Sequence, residues 1–174
     1  MAINQASFFL YPPRYAPEVE YDHDANTASG EPLAMIGSQI VDETALRILN
    51  SDVHAWFSQR GFREKENYGG MTVIYLDREK TFLSEQEVIE TSIMLDEEEF
   101  EELYIRFLLT ESTPDRISQW EGFIHELGHD FNLKIMDPDD HLLLPCIDFY
   151  TLLLRNSNFE MFRKGMEWQL DQRG

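Results

Sequence analysis

The sequence predicts an α+β fold: a single domain with a mixed β-sheet packed by several amphipathic helices. Three observations lead there. Short aromatic and β-branched runs alternate with stretches of helical apolar period along the chain. One helix, between Thr113 and Asn132, is marked at both ends and flanked by strand-like runs, which predicts a β-α-β unit around 103–137. The 174 residues, 43% of them apolar, are enough for one core and one ordinary domain spanning 1–174.

Taken in order, Ala6 to Tyr11 is aromatic and stopped by Pro12-Pro13, which predicts a short strand. With no basic stretch before Phe8-Phe9-Leu10, it does not read as a secretory signal. From 14 to 32, proline or glycine breaks and five acids (Glu18, Glu20, Asp22, Asp24, Glu31) predict a long surface loop. Between Asp42 and Arg60, Leu46, Leu49, Val53, Trp56 and Phe57 recur at helical spacing. Ser51 offers a cap should the stretch divide in two, and Gly61 offers a stop. Met71 to Leu76 and Glu87 to Leu95 read as strands, as does the stretch from about Tyr104 to Leu109.

Thr113-Pro114-Asp115 supplies a capping hydroxyl, proline at the first helical position and an acid in the positive first turn. Ile117, Trp120, Phe123, Ile124 and Leu127 continue that helix as an apolar stripe, and Asn132 can end it in the left-handed conformation. Leu133 to Met136 follows as a strand, then two short helices in 146–154 and 159–170.

Charge is the strongest bulk property. Thirty-three acidic against fourteen basic residues give a net charge of −19, well beyond the roughly 2–8 usual for a small domain. Such a field repels phosphate and so argues against nucleic acid or an anionic membrane as partner. No apolar run is long enough to span a bilayer. The field attracts basic proteins and speeds encounter with them. Six of the seven residues Asp96, Glu97, Glu98, Glu99, Phe100, Glu101 and Glu102 are acidic, with Phe100 placed as an apolar anchor among them. These seven are the candidate partner-binding residues.

One motif carries chemistry. His125-Glu126-Leu127-Gly128-His129 has the form HExxH, which sets two imidazoles on one helical face with a carboxylate beside them. In these five residues the chain resembles the zincin metallopeptidases. That resemblance implies zinc held by His125 and His129, with Glu126 as general base. The metzincin extension is missing, since Asn132 and Ile135 stand where its glycine and third histidine belong. Downstream, only Glu160 and Glu167 remain as acidic third ligands of the gluzincin kind. The two histidines lie roughly opposite the centre of the apolar stripe, an arrangement open to a cleft or to solvent. The solvated helix face is the main reading and the zinc hydrolase the alternative.

Asp22-His23-Asp24 and Asp137 to His141 group carboxylates with imidazole, but in the pattern of turns and not of a calcium loop. Cys146, the single cysteine, sits between Pro145 and Ile147 and reads as a buried thiol. The function expected is therefore that of a cytoplasmic, non-enzymatic acidic protein, without cofactor, that masks a basic protein partner. In size and charge it is similar to bacterial immunity and inhibitor proteins.

Overall fold

The first strand, β1 (Gln5–Tyr11), sends Ala6, Phe8 and Leu10 into the core and keeps the residues between them half-buried, the two-residue period expected of a strand. The computed structural model describes residues 4–26, 30–64, 79–86, 88–94 and 98–173. After β1 come β2 (Tyr15–Asn26), β3 (Pro32–Ile40), α1 (Asn50–Gln59), β4 (Arg63–Glu64), β5 (Glu79–Leu83) and β6 (Ile89–Met94). The second half holds β7 (Leu103–Leu108), α2 (Pro114–Phe131), β8 (Lys134–Met136), β9 (Leu143–Pro145), α3 (Phe149–Arg155) and α4 (Ser157–Arg173). The protein is an α+β domain, with one seven-stranded sheet in the order β4-β5-β6-β7-β1-β8-β9 and a separate β2–β3 pair.

The β-α-β unit is present as β7-α2-β8. β1 lies between its two strands and is antiparallel to both. β7 and β8 therefore run parallel to each other, but β1 separates them and every paired neighbour among the described residues is antiparallel, so the sheet expected to be mixed is antiparallel there. Thr113 caps α2 by accepting from the Arg116 amide at 3.2 Å, Pro114 opens it, and Asn132 closes it at φ 53°. Each of these is a local preference, and each holds.

One face of the large sheet carries the core. Phe8, Phe107 and Phe149 meet edge-on or tilted, with Trp120 against Phe107. Val53, Trp56 and Phe57 of α1, Ile124 and Leu127 of α2, and Leu152 and Leu153 of α3 complete the same cluster. The other face pairs Arg106 with Glu90 at 2.5 Å, and Arg106 also lies over the Tyr104 ring. Among the described residues no helix is long and apolar enough to cross a membrane.

Two expectations are corrected. The stretch 14–32 is not a loop. Most of it is β2, in register with β3 from Tyr15↔Ile40 to Asp22↔Leu33. Tyr15, Val19 and Tyr21 alternate with Glu18, Glu20 and Asp22, and that two-residue period prevails over Pro17 and the density of acids. The helix expected from Asp42 begins only at Asn50, with Leu49 at the cap position and no side-chain cap from Ser51. Asp42 forms its own turn instead, accepting from the Thr44 amide at 3.0 Å and from its hydroxyl at 2.6 Å. Leu46 is left 85% exposed. Gly61 does end α1, at φ 82°. The strand expected at 71–76 lies outside the described residues.

Candidate functional site

Over 98–102 the acidic run is an extended strap stitched to the chain before α1. Phe100 N–H donates to the Ile48 carbonyl at 2.7 Å, and Asn50 N–H donates to the Glu98 carbonyl at 3.0 Å. Leu49 and Glu99 form the bridge between these bonds. The register turns Phe100 inward, to 2% exposure. The expectation of Phe100 as a surface anchor is therefore corrected: its ring belongs to the core cluster that also holds Val53 and Leu103. Glu98 and Glu101 face solvent, and Glu99 and Glu102 are half-buried. Asp96 and Glu97 lie outside the described residues.

The base of the β2–β3 hairpin closes over this strap. Arg14 Nε sits 2.6 Å from Glu99 Oε1, with side chains 7% and 21% exposed. A second Arg14 nitrogen donates to the Glu43 carbonyl at 2.6 Å. Tyr15 donates its hydroxyl to Glu99 at 3.0 Å, and Ser38 donates to Glu101 at 3.4 Å. Burial, then Glu99 and Glu101, raise the Tyr15 pKa against the pull of Arg14. Burial and the Glu102 carboxylate hold the Tyr11 hydroxyl well above the ordinary tyrosine range. Both phenols thus stay protonated beside carboxylates, as donors.

Between the hairpin base and the strap lies a recess of about 350 Å³, lined by Tyr15, Asn50, Met94, Glu98, Glu99, Glu101 and Glu102. None of these residues is cationic. The recess has the volume for one long side chain and oxygen acceptors on several sides. Of the carboxylates that line it, Glu99 is paired with Arg14.

In the sequence 14–32 and 96–102 are two separate acidic segments; Arg14 and Tyr15 of the first meet Glu99 of the second, and Ser38 of β3 adds a bond to Glu101. Sequence reasoning missed Arg14 and Tyr15. The signal for Tyr15 was its place at the head of the alternating Tyr15-Val19-Tyr21 set. No local signal pointed to Arg14, whose partner stands 85 positions along the chain.

The HExxH residues lie on the last two turns of α2. Leu127 is a core residue. Gly128 lets the turn at Cys146 approach, since a Cβ there would come within 2.6 Å of Cys146 Sγ and closer still to its Cβ. Glu126 accepts from Arg60 at 2.5 Å, so the carboxylate that would serve a metal-bound water is occupied by a guanidinium. Arg60 in turn lies 3.5 Å over the Trp56 ring, and Trp56 Nε1 donates to Asp130 at 2.7 Å. His129 is 90% exposed. Among the described residues, no group of three or more His, Cys, Asp or Glu is arranged to hold a metal. The motif thus helps to join α1 to α2. Comparison with protein-family models, with curated proteins and with solved structures finds no match to this chain.

Proposed function

We propose that the protein binds a basic protein and masks it, after the manner of acidic immunity and inhibitor proteins. The observation that carries this reading is the recess between Tyr15 and the 98–102 strap, where four glutamates and no cationic residue stand among the described lining residues. Glu98 and Glu101 face solvent on this rim, where a Lys or Arg of the partner would meet them, while Glu99 is half-buried against Arg14. The net charge of −19 supplies long-range attraction, and the recess gives that attraction a place to end.

The test is association with an arginine-rich peptide, followed by stopped flow across a salt series. Replacing both Glu98 and Glu101 by Lys should slow association at least tenfold at low salt and flatten its salt dependence. Unchanged kinetics would remove the recess from the reading. Glu99 is unsuited to this test, because its loss also strands Arg14.

A further inference from the structure

Among the described residues, the β2–β3 hairpin has one guarded edge and one open one. β2 carries Pro17, Glu18, Glu20, Asp22 and Asp24, features that discourage pairing with another strand. β3 reads Pro-Leu-Ala-Met-Ile-Gly-Ser-Gln-Ile, without a charge in nine residues. Among the described residues no strand pairs with its other edge. Toward the base, the Gly37 carbonyl accepts from the Tyr11 hydroxyl at 3.4 Å, which leaves 33–36 as the open part. An uncharged strand with an open edge is a template for an added strand.

The register says which strand fits. Glu18↔Gly37, Glu20↔Met35 and Asp22↔Leu33 share one face of the hairpin, and Leu33 and Met35 are 45% and 55% exposed. A strand added outside β3 would lie about 10 Å from β2, two strand spacings away. A lysine or arginine on that face would lay its aliphatic stem across Leu33 or Met35 and carry its charge toward Glu20 and Asp22. The opposite face offers Ala34 and Ile36 to apolar residues at the alternate positions. A second copy of this chain fits less well, because two bodies of charge −19 repel.

We infer that the outer edge of β3 over 33–36 receives an extended segment of the basic partner, with Lys or Arg alternating with apolar residues. This rests on the basic-partner reading above and adds the mode of docking. The probe is a short peptide alternating Lys and Val, beside the same peptide N-methylated on alternate amides, which keeps the charge and blocks strand pairing. The full chain should bind the plain peptide, with hydrogen exchange at outward amides of 33–36 slowed at least tenfold. The N-methylated peptide should bind at least tenfold more weakly, as should the plain one to a Leu33→Lys, Met35→Lys variant.

Equal binding of both peptides, with exchange at 33–36 unchanged, would overturn strand addition and leave the recess reading intact. Binding of neither would also overturn it. Protection at 33–36 that grows with protein concentration alone would assign the edge to a second copy and overturn the basic occupant.

Discussion

Arg14 and Glu99 form an ion pair at 2.6 Å in the seam between hairpin and strap, with the arginine side chain only 7% exposed. The pair holds the rim of the recess in place, and its value is conditional on both members. Removing one partner leaves the other charge poorly solvated, at about 3–5 kcal/mol for a fully buried pair and toward the lower end here, where Glu99 retains some water. Arg14→Met and Glu99→Met should each destabilise the fold. The double variant should cost less than the sum of the two, with a coupling of about 1–3 kcal/mol by urea denaturation. Strict additivity would show that the two side chains do not depend on each other.

Gly128 and Cys146 make the closest approach of α2 to the segment that leads into α3. Gly128→Ala should therefore destabilise by about 1–3 kcal/mol through overpacking, even though alanine is the better helix former. Burial pushes the Cys146 thiol up to about 12. In the native protein it should resist alkylation at about pH 8, where an ordinary exposed thiol reacts, and it should react fully once urea unfolds the chain. A stable Gly128→Ala variant, or prompt native alkylation, would contradict this packing.

Asp137 is 1% exposed and accepts from Asn156 Nδ2 at 2.9 Å and from the Asp139 amide at 2.8 Å. Burial raises its pKa above the ordinary 3.8, and the two hydrogen bonds only partly offset this. The folded state thus holds the proton to higher pH than the unfolded one. The stabilisation from this is complete below the unfolded value and is lost as pH rises through the folded value. Asp137→Asn should gain stability relative to wild type as pH is raised through that window, read from urea midpoints at a series of pH values. Parallel curves would contradict it.

The HExxH residues should not hold zinc tightly. Two histidines, one of them 90% exposed, fall short of the three protein ligands of a catalytic site, and Glu126 is bound to Arg60. Protein given one equivalent of zinc and then desalted should retain none. Stoichiometric retention that disappears in a His125→Ala, His129→Ala variant would contradict this. Glu126→Ala should instead loosen the contact of α1 with α2, a modest effect of about 1 kcal/mol or less for a half-exposed pair.

What was legible in the sequence was local. The Thr113 cap, Pro114 at the helix start and left-handed Asn132 each act within one turn, and they placed α2 correctly. The start of α1 was not legible, because Asp42 and Thr44 satisfy each other in a turn that the apolar spacing does not reveal. The hairpin carried the right period in Tyr15, Val19 and Tyr21, but a strand is fixed by its partner, and β3 has no strong alternation of its own. Phe100 shows the limit most clearly. Four glutamates surround it, and it is buried because its amide meets Ile48, 52 positions earlier in the chain.

The most direct test of the central claim separates the recess from bulk charge. Wild type, a Glu98→Gln, Glu101→Gln variant and a charge-matched Glu43→Gln, Glu121→Gln variant are titrated with the same arginine-rich peptide by calorimetry. If the recess receives the basic group, the first variant binds at least tenfold more weakly and the second stays close to wild type. If both variants weaken equally, the binding belongs to the net charge of the molecule, and the recess beside Tyr15 is not its site.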